Sequence, residues 1–242
     1  MAKKKSKQVK NQPVLVLLLV LLTTFSLLGL SFRILLLPPF TRVIADNTVN
    51  SSLSSFKHFE LVEVAERGRA YVAGDKGATM PEGPDEKTAF PPDVVSHMDD
   101  VRNVIYIALI ATISLGVLFL ATLVVAGILA GRRTIAFGLL FGGIMAVVLA
   151  LVLAVIGFVN FDRLFTVMHE MLFADGTWTF AADSLLICTY PEAFWIGMGI
   201  VWAMLLLLLS TVVSFIGYLL IRGTRRIVNP GSNTRSELKN PG

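Results

Sequence analysis

The sequence is poor in the residues from which soluble chemistry is built. One cysteine, Cys188, occurs in 242 residues, so the chain cannot form a disulfide framework or a C-x-x-C metal or redox motif. Charged residues make up only 16% of the chain, and there are three histidines, His58, His97 and His169. The lysine and arginine clusters sit beside apolar runs instead of covering a folded surface, which argues against nucleic-acid binding. Long dispersed patterning is also missing. The 55% of hydrophobic residues gather in runs of more than twenty, a signature of membrane spans and not of a soluble core.

The first run, Val14 to Leu37, follows a basic head of Lys3, Lys4, Lys5, Lys7 and Lys10. It is too long for a signal-peptide core, and Pro38-Pro39-Phe40 follows where a small-x-small cleavage site would be needed. It reads as an uncleaved anchor that spans about 36 Å at 1.5 Å per residue. Residues 38–103 are polar and carry no spanning run. Within them Leu61, Val64, Ala65, Gly68 and Val72 follow helical spacing, Glu63 and Arg67 form an i,i+4 pair, and Ser54 or Ser55 is placed to cap the helix. Gly74 to Pro84 reads as a loop. A second helix is expected from Phe90-Pro91-Pro92-Asp93, with Val94, Met98, Val101 and Ile105 carrying one apolar face into the next span. The further spans are 104–130, 134–158 and 194–221. Residues 131–133 form a turn, 159–193 a polar break, and 222–242 a tail expected to be disordered. The expected fold is an all-α membrane protein: four transmembrane helices with a small, mainly helical extracytoplasmic cap from the 1–2 and 3–4 connections.

Basic residues orient it. The head (1–13), the 131–133 turn and the tail hold twelve Lys/Arg and one acidic residue, Glu237. Residues 38–103 with 159–193 hold eight basic and sixteen acidic residues. The positive-inside rule therefore puts both termini in the cytoplasm and both long connections outside a cell membrane.

All three histidines fall on the outer side. His97 lies seven residues before the second span and His169 eleven after the third. Those spans form an antiparallel hairpin, so their outer ends should stand roughly 10 Å apart. The spacing is equally compatible with two unrelated surface histidines. Asp93 at i−4 and Asp100 at i+3 from His97 are placed to orient its imidazole. Phe161, Leu164, Phe165, Met168 and Leu172 form an apolar stripe after a possible Asn160 cap, which describes an interfacial helix with His169 at its margin and Asp162 two turns earlier. An imidazole there would act on an acyl ester whose chains stay in the bilayer. Zinc is a competing use of such residues, but the row reads His169-Glu170-Met171-Leu172-Phe173, without H-E-x-x-H. Cys188 reads as a packing residue, and Ser184 lacks a G-x-S-x-G context. Arg33 reads equally as a residue snorkelling to the headgroups and as a clamp for a lipid phosphate or oxyanion. Trp178 and Trp195 read as members of the aromatic belt.

With H-M-D-D-V at 97–101 and F-D-x-x-F-x-x-x-H…F…W…D-x-L-L-I…P-E-x-F-W from Phe161 to Trp195, the chain resembles the lipoprotein intramolecular transacylase family of bacterial four-span membrane proteins. The likeness is best over about 85–200, and it departs from the family pattern at Met168 and at Ala181-Ala182. The resemblance implies a membrane acyltransferase at the outer leaflet whose substrate is a diacylated lipoprotein. The sn-2 acyl chain of its diacylglyceryl-cysteine moves to the cysteine's own α-amine, leaving a lyso-form. His97 and His169 serve as general acid and base, and no metal or other cofactor is required. Two rivals stand beside this reading. One is a non-catalytic four-span scaffold or adaptor binding a partner through its outer loops, although a claudin-like one would need a cysteine pair in the first loop. The other is a metal-dependent hydrolase using the same histidines.

Overall fold

The computed structural model describes residues 12–80 and 90–228. Among these residues there is no strand, and the regular elements are α1 (Pro13–Leu35), α2 (Pro38–Thr48), α3 (His58–Val72), α4 (Pro92–Leu129), α5 (Arg132–Val159), α6 (Phe161–Leu172), α7 (Leu185–Thr189) and α8 (Glu192–Val228). Helices α1, α4, α5 and α8 are long and apolar enough to cross a bilayer. The basic head, the loop beyond residue 80 and the tail from residue 229 lie outside the described residues.

Helix boundaries differ from the apolar runs for local reasons. Helix α1 stops at Leu35, and Pro38-Pro39 opens α2, where proline's missing N–H costs nothing in the first turn. Helix α3 starts at His58, later than a serine cap at 54 or 55 would place it. Here the Glu60 carboxylate reaches back to accept the Lys57 backbone N–H at 2.6 Å and so does the work of a cap. The turn between α4 and α5 is only Ala130-Gly131. Gly131, at φ 82°, donates its N–H to the Ala126 carbonyl at 2.8 Å, which closes the end of α4. Arg132 and Arg133 therefore begin α5 and do not form the turn. Helix α8 continues through Arg222 to Val228, which corrects the expected disorder over 222–228. No proline intervenes there before Asn229-Pro230.

The chain divides into two compact units. One comprises Met1–Leu27, Ser114–Val147 and Leu208–Gly242. Small residues let its helices approach closely, as membrane helices do when lipid offers no hydrophobic incentive to pack. Gly138 and Gly142 of α5, four residues apart, meet Leu19 and Thr23 of α1, also four apart. The Thr24 hydroxyl donates to the Gly142 carbonyl at 2.9 Å. On the next face of α5, Gly143 meets Ser214 of α8, and Gly217 of α8 lies against the backbone of Leu140 and Ala136.

The other unit comprises Leu28–Ile113 and Val148–Leu207. Its core gathers Ile44 and Ala45 of α2, Val64, Ala65 and Val72 of α3, Val94 and Met98 of α4, Leu186 of α7, and Phe194 of α8. A buried cation ties the connections to α1. Arg69 donates through Nε and Nη2 to one Glu66 oxygen (3.0 and 2.8 Å), through Nη2 to Asp75 (2.7 Å), and through Nη1 to the Leu36 carbonyl (3.1 Å). The last of these satisfies an acceptor just beyond the end of α1. The Tyr190 hydroxyl donates to the Ala65 carbonyl at 2.9 Å, packed so closely over Gly68 that a β-carbon there would collide with it. The Tyr71 hydroxyl donates to Asp99, and the Arg102 guanidinium lies 4.6 Å over the Tyr71 ring, which binds α3 to the first turns of α4. Helix α4 has 38 residues and is about 57 Å long, against a hydrocarbon core of about 30 Å. Its polar first turns, with Asp93, His97, Asp99, Asp100 and Arg102, thus belong outside the apolar stretch.

A β-carbon at Gly217 would sit 2.6 Å from the Leu140 nitrogen and 2.8 Å from the Ala136 oxygen, backbone atoms that cannot yield, whereas Gly116 has open space. Gly217→Ala should therefore destabilise the protein by about 1–3 kcal/mol and Gly116→Ala should not. Thermal unfolding of the two variants in one detergent checks this.

Candidate active site

His169 reaches its place through a single-residue break. Helix α5 ends at Val159 and α6 starts at Phe161, and Asn160 between them serves both. Its N–H donates to the Ile156 carbonyl (3.1 Å), its carbonyl accepts from Leu164 (3.2 Å), and its side-chain oxygen caps α6 by accepting the Arg163 N–H (2.9 Å). Helix α6 then splits its apolar residues between two faces. Phe161, Phe165, His169 and the C-terminal Phe173 line one row of ring contacts. Met168, Met171 and Leu172 are exposed on the other. His97 comes from the second turn of α4, between the buried Val94 and Met98.

The two imidazoles meet. Their ring centroids are 6.3 Å apart at an interplanar angle of 23°, and each residue is only 6% exposed. Aromatic rings enclose them. Phe165 lies 3.9 Å, Trp178 5.1 Å and Phe173 5.4 Å from His169; Phe173 and Phe180 lie 4.9 and 5.5 Å from His97. The Nδ1–H of His169 donates to the Phe165 carbonyl at 2.8 Å, one helical turn back. In the neutral ring this leaves Nε2 as the atom with the free lone pair. Nδ1 of His97 and the indole Nε1 of Trp178 are buried without a partner.

Burial in this apolar enclosure lowers the pKa of both histidines. For His97 the neighbouring His169 adds to the effect and Asp100 opposes it. For His169 the Phe165 hydrogen bond opposes it. Two adjacent sites that resist charging hold at most one proton readily, so the pair is suited to passing a proton through neutral imidazoles.

The remaining residues singled out from sequence fall elsewhere. His58 starts α3, exposed, and faces Asp46 at 3.2 Å. Asp93, Asp100 and Asp162 are all exposed. Of these, Asp100 reaches His97 through its field. The atom that fixes the His169 tautomer is a backbone carbonyl and not Asp162. Arg33 is exposed in the last turn of α1. Cys188 is fully buried in α7, its carbonyl accepting the Asn50 N–H at 2.8 Å, and burial raises the pKa of its thiol, as does Asp183 to a lesser degree. Among the described residues no group of three or more His, Cys, Asp or Glu is placed to hold a metal. Trp178, read from sequence as a member of the aromatic belt, stands with its ring against His169, and Phe180 was not singled out. The available signal was the density of aromatics between His169 and Trp195. Trp195 packs on Phe165 at 6.1 Å and donates to the Tyr190 carbonyl at 3.2 Å.

Four membrane-length helices define an integral membrane protein, and it carries a buried pair of histidines in ring contact. The family model for lipoprotein intramolecular transacylase Lit matches residues 14–195. The chain belongs to this family. Among similar structures is the membrane-integral Lit of Bacillus cereus, with a TM-score of 0.68 at 18% identity, covering 88% of this chain and 97% of that one. Variants of that protein with a histidine replaced by arginine or alanine give TM-scores of 0.68 and 0.65. An uncharacterised protein of Aquifex aeolicus (strain VF5) is 28% identical over 166 residues, 66% of this chain and 72% of that protein.

Two measurements test the geometry. Because the folded histidines bind a proton less readily than in the unfolded chain, stability should be unaffected by them above pH 6.5. It should fall as pH drops from 6.5 through their lower folded values, and a His97→Gln/His169→Gln variant should lose less over that interval in thermal unfolding. Asn160→Ala should cost about 1 kcal/mol of stability, and Asn160→Asp, which keeps the accepting oxygen, should restore most of it.

Proposed function

We propose that this chain moves the sn-2 acyl chain of a lipoprotein's diacylglyceryl-cysteine from the glycerol oxygen to the α-amine of the same cysteine, giving the lyso-form. The observation that carries this is the enclosed imidazole pair, 6.3 Å between rings, with one tautomer fixed by the Phe165 carbonyl. The α-amine has a pKa near ~8 and is mostly protonated at neutral pH, so it must lose a proton before it can attack. His169 Nε2 is the base that takes it and releases it to water, so the pair is neutral again when the amine attacks. The amine nitrogen then bonds to the ester carbonyl carbon, and the second proton it sheds passes through the pair. As the intermediate collapses, the carbon–oxygen bond to glycerol breaks and His97 returns a proton to the departing alkoxide. Asp100 favours His97 while it carries that charge. Nucleophile and ester belong to one molecule, so folding the lipid correctly supplies much of the rate. Proton transfer is what the protein adds, and neither a metal nor another cofactor enters.

The charge distribution supports cytoplasmic termini and a site at the outer leaflet. The exposed Phe158, Val159, Met168, Met171 and Leu172 suit α6 to the lipid interface, so that the acyl chains remain in the bilayer while the esters reach the histidines. Arg33, exposed near the end of α1, contacts lipid headgroups in this arrangement.

Expression in a bacterium that makes diacylated lipoproteins, with mass spectrometry of lipoprotein N-termini, tests the reading. Lyso-form should appear with the wild-type chain and fall by roughly 10²–10⁴-fold with His97→Ala or His169→Ala. Absence of lyso-form with the wild type overturns the function and leaves the non-catalytic scaffold. Loss of activity on chelation would point to metal-dependent hydrolysis.

A further inference from the structure

The enclosure holds one hydrogen-bond donor that the acid–base scheme leaves unused. Trp178 belongs to the connection between α6 and α7, and its ring lies 5.1 Å from His169. Its Nε1–H is buried and has no acceptor. An indole nitrogen only donates, and a buried donor without a partner costs free energy. The rings that share the enclosure, Phe165, Phe173 and Phe180, offer no polar side-chain atom to it.

The transfer creates a matching need. As the amine nitrogen bonds to the carbonyl carbon, the carbonyl electrons move to oxygen, which becomes an oxyanion until the carbon–oxygen bond to glycerol breaks. An oxyanion among aromatic faces is costly unless a donor is already aimed at it. The two histidines are engaged with protons on the nitrogen and on the alkoxide. Arg33 is exposed at the end of α1.

We infer that the Trp178 indole N–H donates to the ester carbonyl oxygen and to the oxyanion it becomes, making Trp178 a catalytic residue beside His97 and His169. The inference rests on the transacylase reading above. The indole keeps its proton throughout, and its contribution is a fixed hydrogen bond that strengthens as charge develops.

The test is Trp178→Phe in the full-length protein, in vesicles with a synthetic diacylated lipopeptide. Phe keeps an aromatic ring and removes the donor together with one ring of the indole, and benzothienylalanine at the same position separates the two losses. The expected result is a fall in kcat of roughly 10²-fold or more, with KM little changed and the pH of half-activity on the acid side unmoved. A kcat within threefold of wild type would overturn the proposal. So would a raised KM at unchanged kcat, which marks a binding contact alone. Should Trp178→Phe fold poorly, benzothienylalanine at position 178 keeps the bicyclic shape and replaces N–H by sulfur, and the same outcomes apply. Failure of the underlying reading is distinguishable, because the wild-type protein would then form no N-acylated product.

Discussion

A helix that has crossed a bilayer runs straight on unless its hydrogen-bond ladder is interrupted. Between α5 and α6 that interruption is one residue. Asn160 keeps its own N–H and carbonyl in helical bonds to Ile156 and Leu164 while its side chain takes the Arg163 N–H, so the chain changes direction and leaves these donors satisfied. An apolar residue at this position would forgo the cap and favour a continued α5, carrying His169 away from His97. The rest of the site depends on this turn. It allows α6 to set Phe161, Phe165 and His169 in one row toward the protein and leave Met168, Met171 and Leu172 outside.

The enclosure then sets the chemistry. Exposed imidazoles half-protonate near pH 6.5, whereas these two are packed among four aromatic rings and against each other, and so resist charge. A base that stays neutral at physiological pH is ready to accept a proton, and a neighbour that also resists charge passes it on without holding it. The same desolvation makes every unsatisfied polar atom expensive. The orphaned atoms here are Nδ1 of His97 and Nε1 of Trp178, both within one ring contact of the centre. A substrate bringing an amine and an ester carbonyl is proposed to satisfy them, and the cost of leaving them bare in the free protein becomes a preference for that substrate.

Much of this was legible in the chain. The four apolar runs and the all-α class follow from length and composition, because in lipid the backbone has no other way to satisfy itself with a single segment. The approach of His97 to His169 was one of two open readings, and its geometric basis was the short turn at Gly131, which forces α4 and α5 to be neighbours. What could not be read has a common cause. The tautomer of His169 is set by the Phe165 carbonyl, a backbone atom that every residue carries, whereas a sequence displays only side chains such as those of Asp93, Asp100 and Asp162. Trp178 looked like an interfacial anchor because a ring's depth depends on the course of the α6–α7 connection. Helix α2 was hidden by Pro38-Pro39, which ends one helix and opens another equally well.

Close packing and open chemistry fall in different parts of the chain. The unit containing Gly138, Gly142, Gly143 and Gly217 packs these glycines directly against Leu19, Thr23, Ser214 and the backbone of Leu140, leaving no room for a substituent. The unit holding the histidines is cemented otherwise: Arg69 gathers Glu66, Asp75 and the Leu36 carbonyl, and Tyr71 and Tyr190 each spend a hydroxyl on a distant element. Such polar ties sit poorly in hydrocarbon and are natural where a connection stands above it. They hold α3 and α7 around the first turns of α4 by directional bonds instead of by apolar bulk. The aromatic surface is thereby left free for the enclosure, where the ester of the proposed substrate is surrounded by apolar groups and still meets a lone pair.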